Sequence, residues 1–436
     1  MHLMVVGKSA YSRVIGTTVV PITIAGHTAQ FMRPLLTYAR SRAMTVSYAY
    51  PLHPAGCLMS DAADELPAGV AEFPFTDVEA AKAPLHIGYL SVEASIRRAI
   101  ERNGRIDWVF LPYAYPLAPL LVSLRAVYGF KLALFLRGGD GYQWLDPGWS
   151  HAAQVFGGAE QARTACALYR ESLMAADFVG VASAWLGSVV DRLGARWDAV
   201  VESPAAQWLG PGPAPSRDKR DISADPGVAV RAGALDPGRR WLLSAGRIHP
   251  DKHLDLAADI VAEAGLPGWQ LVLAGAGGAA ADLGDGGLRR LIERGEACIA
   301  EVPPRIIHRL YEGCDAYLQT ALPSATFVDA RPSSVTSAAF HGKPVVVPVA
   351  EAGGVTESLA PENVEAFGFD ARRLDASRRA DRADLVRRGA AAVRRLADPE
   401  LRHRCGEANA RHAASSSVAA VFDKLWVCLG TGKAVW

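Results

Sequence analysis

Apolar residues along the chain fall into short unbroken runs, separated by longer stretches in which they recur every three or four positions. The first half reads MHLMVVG, then the amphipathic GHTAQFMRPLLTYARSR, then AMTVSYAY, IDWVFLP, a helical PLLVSLRAVYGF and the run KLALFL. ADFVGVAS and AWLGSVVDRLGA add another strand and helix. Buried strands alternating with amphipathic helices predict parallel sheets covered by helices, an α/β class. A second series starts at WLLSAGR and runs through LDLAADIVAEAGL, WQLVLAG, LRRLIERG, CDAYLQT, SVTSAAFHG and PVVVPVA.

Between the two series, GPGPAPSRDKRDISADPGVAVRAGALDPGRR is rich in Gly, Pro, Asp and Arg and lacks a periodic apolar pattern, so it reads as a linker. The pattern therefore predicts a first domain over 1–209, a linker over 210–240 and a second domain over 241–404. A terminal helix within 405–436 is expected to pack back toward the first domain. Both domains are expected to be doubly wound, with strand C-termini facing a central crevice where a ligand binds. The Arg-rich segment 372–404 has Asp and Glu interleaved and Ala and Leu at helical spacing, which fits a solvated helix face.

A chain of 436 residues has room for two such cores. Its net charge of +1 points away from nucleic acid and from a polybasic membrane contact. The six cysteines show neither CxxC nor Cys/His ligand spacing, so a zinc site or disulfide framework is not indicated and a reducing cytoplasm is expected. The uncharged stretch from Trp108 to Leu124 contains Pro112, Pro116 and Pro119, which argues against a spanning helix. Arg13 followed by VIGTTVVPITIAGHTA imitates a secretion signal, but Pro21 and the preceding MHLMVVG favour a first strand and loop.

Three stretches could carry chemistry. In SAGRIHPDKHLD, Arg247 and Lys252 follow the first strand of the second domain; a planar fork and a point charge suit a diphosphate, although an exposed loop would look the same. In DARPSSVTSAAFHGKPVVV, Pro332, Ser333 and Ser334 resemble a helix start whose N–H groups attract an anion, and Asp329 could accept from sugar hydroxyls or simply form a turn. In RGGDG, Arg137 and Asp140 stand at a strand end, either meeting a ligand or pairing with each other.

Taken together these segments resemble a GT-B glycosyltransferase of the family 4 type, two Rossmann-like domains around a crevice. GRIHPDK, LVLAGAGG, CDAYLQTALPS, Asp329-x7-Ser337 and AAFHGKPVVVPVAEAGGVTE match the family's second-domain motifs in order over most of 241–368. RGGD and AGHTAQFMRPL match the first domain more loosely. The resemblance implies a retaining, metal-independent transfer from a nucleoside-diphosphate sugar to a small acceptor, with no cofactor beyond the donor. It gives Arg247 and Lys252 the diphosphate, Asp329 the donor-sugar hydroxyls, and Gly246, Gly275, Ser333 and Ser334 the rest of the donor contact. Gly26, His27, Arg137 and Asp140 would lie near acceptor or sugar, with His27 a candidate base that could equally be a helix-start packing residue. Where the family carries a ribose-holding acid, this chain has Ser337, and its first acid is shortened to Asp329.

The departures keep other readings open: a lipid-linked or polysaccharide acceptor, or a nucleotide-sugar binder without turnover. GAGGAA at 275–280, with Glu293 downstream, fits a dinucleotide fingerprint, but the transferase pattern already accounts for that turn. DLGD at 282–285 has the wrong spacing for a metal motif.

Overall fold

The unbroken apolar runs form strands buried on both faces, gathered into two separate seven-stranded sheets. The structure is a computed structural model that describes residues 1–7, 12–15, 18–21, 27–52, 68–76, 88–112, 117–137, 145, 146, 148, 153, 157–207, 216–246, 248, 252–275, 287–302, 306–323 and 328–431. The chain divides into two compact units, Met1–Ser203 with Val418–Trp436, and Pro204–Ser417.

In unit 1, β1 (His2–Val6) is followed by an antiparallel hairpin of β2 (Ser12–Ile15) and β3 (Thr18–Pro21). Then come α1 (His27–Ser41), β4 (Thr45–Leu52), β5 (Ala71–Thr76), α2 (Gly88–Asn103), β6 (Trp108–Leu111), α3 (Ala118–Tyr128) and β7 (Lys131–Leu136). α4 (Ala159–Ala175), β8 (Phe178–Val181), α5 (Ala184–Arg192) and β9 (Ala199–Val200) complete its first part. The sheet order is β5-β4-β1-β6-β7-β8-β9, with every pairing parallel.

Unit 2 contains α6 (Lys219–Ser223), β10 (Ala229–Ala232), β11 (Arg240–Ala245), α7 (Leu254–Ala264), β12 (Trp269–Ala274), α8 (Gly287–Glu293), β13 (Ala297–Glu301), α9 (Ile307–Gly313) and β14 (Ala316–Leu318). It continues with α10 (Ser333–Phe340), β15 (Val345–Val349), a 3-10 turn (Val355–Ser358), α11 (Pro361–Phe367), β16 (Gly368–Asp370), α12 (Arg379–Arg394) and α13 (Pro399–His412). Its sheet order is β10-β13-β12-β11-β14-β15-β16, parallel except at β10. Successive residues of β11 feed opposite cores: Leu242 packs with α7 and α12, and Trp241 and Leu243 pack with α9 and α10. A period of two that is apolar on both faces is what a helix-covered parallel strand requires. Strand order reverses at β11, whose neighbours are β12 on one side and β14 on the other, so a switch point lies between β11 and β14.

The described part of the expected linker is folded. α6 is capped by the Asp218 side chain on the Arg220 N–H and buries Ile222. β10 pairs antiparallel with β13, and Val228 and Leu235 enter the same core as Trp241. Lys219 Nζ reaches Asp315 Oδ2 at 2.5 Å and the Arg239 carbonyl at 2.9 Å. Gly, Pro and charged residues hide this because an edge strand needs only one bonded partner and four residues.

The terminal boundary also moves. α13 stays in unit 2, and only the last helix, α14 (Val418–Thr431), joins unit 1. There Val421, Phe422 and Leu425 share a core with Phe31, Met32 and Leu35 of α1. Asp423 accepts from both Tyr38 and Arg42. No single helix among the described residues is long and apolar enough to cross a membrane.

Candidate functional site

Beyond the C-terminal end of β11 the chain turns through Gly246, whose φ of 156° opens the backbone beside the Lys252 stem, 3.9 Å from where a Cβ would stand. Lys252 precedes α7, and Asp329 lies in the connection from β14 to α10. The loops bring together two residues 77 positions apart: Lys252 Nζ donates to Asp329 Oδ2 at 2.8 Å. Both side chains are largely buried, 15% and 9% exposed.

Two residues at the end of β14 hold this pair. Gln319 Nε2 donates to Asp329 Oδ2 at 3.4 Å, and Thr320 Oγ1 donates to the Lys252 carbonyl at 2.9 Å. Among the described residues both donors to the Asp329 carboxylate reach Oδ2, and none reaches Oδ1. Behind Asp329, Gly354 N–H donates to its carbonyl at 3.3 Å. Gly353 has φ 101°, and a Cβ there would stand 2.7 Å from the same carbonyl, so only glycine fits this turn.

Tyr317 joins the strand end to the helix start. Its hydroxyl donates to the Ala245 carbonyl at 3.0 Å, accepts from the Ala245 N–H at 3.3 Å and also bonds Ser334. Burial pushes its pKa up to about 12, with the Ser334 and Ala245 bonds acting in the opposite sense, so it stays a neutral phenol. α10 opens at Ser333 after Pro332 with no side-chain cap. The first N–H groups of a helix lack intrahelical acceptors, and its dipole favours an anion there. The cluster thus combines a cation, a helix start to which Pro332 offers no side-chain cap, and a carboxylate with one oxygen unmet among the described residues, a chemistry suited to a phosphate attached to a hydroxyl-bearing group.

The remaining residues of the sequence reading divide three ways. Gly275 continues the ladder after β12, its N–H on the Ala300 carbonyl at 2.9 Å. Arg247, Gly26 and Asp140 lie outside the described residues, and His27 is described only as the first residue of α1. Arg137 is buried in unit 1, with its guanidinium carbon 3.2 Å from the Phe31 ring centroid, Nη1 on Ser203 Oγ at 2.8 Å and Nη2 on the Val201 carbonyl at 3.4 Å. These contacts engage the guanidinium within the domain's own packing.

Ser337, expected at the ribose, is engaged within unit 2. Its side chain is fully buried, its hydroxyl donates to the Ser333 carbonyl at 2.7 Å, and it accepts from the Ala206 N–H at 2.9 Å. A helical serine bonding back to the i−4 carbonyl has its donor occupied. Sequence reasoning gave no role to Tyr317, Gln319 or Thr320, although all three lie in CDAYLQTALPS and the last two form the polar pair that closes the apolar strand. Among the described residues no group of three or more His, Cys, Asp or Glu converges on a metal position.

The fold is that of the GT-B glycosyltransferases. HepE (Alr3699) of Anabaena in complex with UDP-glucose superimposes with a TM-score of 0.64 at 14% identity, covering 99% of this chain and 100% of that one. Sucrose-phosphate synthase (tll1590) of Thermosynechococcus elongatus gives 0.61 at 15% identity, over 99% and 100%. A glycosyltransferase of Rickettsia africae ESF-5 gives 0.60 at 11%, over 99% and 98%. No protein-family model matches the chain, and no curated protein matches it in sequence.

Proposed function

We propose that this protein is a retaining glycosyltransferase that moves a sugar from a nucleoside-diphosphate donor to a small acceptor, without a metal, in the cytoplasm. The observation that carries the reading is the meeting of Lys252 and Asp329 at the switch point of a doubly wound sheet, near the start of α10. UDP-glucose in HepE supports a uridine donor. The retaining outcome and the freedom from metal rest on the motif resemblance, and the cytoplasmic setting is supported by free thiols at all five described cysteines.

In this reading Lys252, with Arg247, binds the diphosphate and offsets the charge that grows on it as the glycosidic bond breaks. The start of α10 meets a phosphate, and Asp329 Oδ1 accepts from a sugar hydroxyl. Rate enhancement then comes from placing donor and acceptor and from electrostatic stabilisation of the leaving group. The engaged hydroxyl of Ser337 favours a second reading, a nucleotide-sugar binder without turnover.

Thermal shift with UDP, GDP, ADP and dTDP tests the donor site, because a ligand that binds only the folded state raises Tm by mass action. UDP is expected to give the largest shift, and a flat response to all four removes the donor assignment. Lys252→Ala should lower kcat/KM of transfer with the fold intact; an unchanged value refutes its phosphate role. Transfer that survives EDTA supports the metal-free reading. Binding without hydrolysis or transfer across a broad acceptor panel selects the silent binder.

A further inference from the structure

We propose that Gln319 and Thr320 are separate positioning residues for the two halves of a nucleotide-sugar donor, Gln319 for the sugar and Thr320 for the diphosphate. The proposal rests on the donor reading above and gives roles to two residues inside CDAYLQTALPS to which the motif pattern assigns none. Both extend β14, where the Gln319 N–H continues the ladder on the Val346 carbonyl at 2.9 Å. Successive side chains on an extended segment point to opposite sides. That alternation sends the Gln319 amide to Asp329 and the Thr320 hydroxyl to the backbone of Lys252. Both side chains are nearly fully buried, at 4% and 1% exposure, so they act through the groups they hold.

The two donors on Asp329 Oδ2 differ in what a diphosphate does to them. Lys252 is a mobile point charge that a diphosphate attracts. Gln319 is a neutral amide, which a diphosphate attracts far less than it attracts an ammonium. When Lys252 turns toward the donor, Gln319 keeps Oδ2 fixed and leaves Oδ1 aimed at the sugar. Thr320 anchors the main chain of Lys252, so its loss loosens the cation whichever group follows the phosphates.

Calorimetric titration separates these roles. It uses the nucleoside diphosphate that stabilises the wild type and that nucleotide's glucose, N-acetylglucosamine and mannose conjugates. For Gln319→Met, the diphosphate should bind within about twofold of wild type. The preferred conjugate should weaken about tenfold, equivalent to about 1.4 kcal/mol. For Thr320→Val, diphosphate and conjugate should weaken by the same factor. Gln319→Glu sets a carboxylate against Asp329, and the same selective loss of the conjugate is expected; it serves if the Met variant does not fold. Equal losses of diphosphate and conjugate in the Gln319 variants, or no loss of either, overturn the proposal. A wild type that binds none of the diphosphates overturns the donor reading itself, and that result is visible before any variant is made.

Discussion

The Lys252 and Asp329 pair should reveal itself as an energetic unit before any substrate is known. At 2.8 Å and an effective dielectric of about 20, the direct attraction is about 6 kcal/mol. Desolvation of two mostly buried charges offsets much of it, at several kcal/mol per ion in order of magnitude. Removing one partner is different, since the other charge stays behind. Among the described residues, Lys252→Met leaves the Asp329 carboxylate only the long Gln319 contact, so the loss should be near the lower end of the usual range, about 3 kcal/mol. Asp329→Asn leaves the ammonium facing an amide and should cost about 2 kcal/mol.

In the double variant no charge is stranded, and its loss should be about 2 kcal/mol, well below the sum of the singles. Urea unfolding followed by amide hydrogen exchange of unit 2 peptides gives the three values without assuming that both units unfold together. A coupling below about 0.5 kcal/mol refutes the pair as an energetic unit. The double variant should also fail to bind a nucleoside diphosphate despite its recovered stability, which separates donor binding from folding.

Three further perturbations test other parts of the structure. His341 Nε2 bonds the Ala206 carbonyl at 2.7 Å, and burial pushes its pKa down to about 4 from 6.5, with Lys343, His308 and Arg217 adding repulsion. The unfolded chain takes up that proton first, so unit 2 should lose about 3 kcal/mol as pH falls from 6.5 toward 4. Glu312, 4.0 Å from Nδ1 and raised in pKa by burial, returns part of it as it protonates. His341→Gln should flatten this slope in unit 2 hydrogen exchange, and an unchanged slope refutes the assignment. Gly353→Ala should cost about 1–3 kcal/mol through its left-handed φ and push on the Asp329 carbonyl, which a weaker affinity for the donor conjugate would register. Phe422→Ala, at a fully buried ring 5.4 Å from Phe31, should destabilise unit 1 by about 3–5 kcal/mol while unit 2 exchange is unchanged.

The sheets were legible because strands buried on both faces leave unbroken apolar runs such as WQLVLA, and burial leaves little choice of residue. Lys252 was legible as a cation after a strand and Asp329 as an acid before a helix start; their contact was not, since it joins residues 77 positions apart. The spacing from Asp329 to Ser337 located a helix position but not the hydroxyl's partners, because spacing fixes the backbone and not where a small hydroxyl finds its bonds. α6 and β10 escaped notice for a related reason. They pack and pair with Trp241, Asp315 and β13, none of which lies in the segment itself.

The position of Ser337 has a consequence for the nucleotide that can be measured directly. α10 is tied at both ends: Ser334 bonds Tyr317 near its start, while Ser337 and His341 hold the N–H and carbonyl of Ala206. A carboxylate in the place of Ser337 would leave the Ala206 N–H to a longer, charged side chain in a fully buried position, a substitution the packing disfavours. If no other acid takes over, the ribose hydroxyls lose a charge-assisted bond that is usually worth about 1.5–3 kcal/mol. The diphosphate must then dominate affinity. On this argument 2′-deoxy-UDP should bind less than about tenfold more weakly than UDP, because only a neutral contact of about 0.5–1.5 kcal/mol is at stake. A loss of tenfold or more, about 1.4 kcal/mol, would mean that a carboxylate still grips the ribose from another part of the chain.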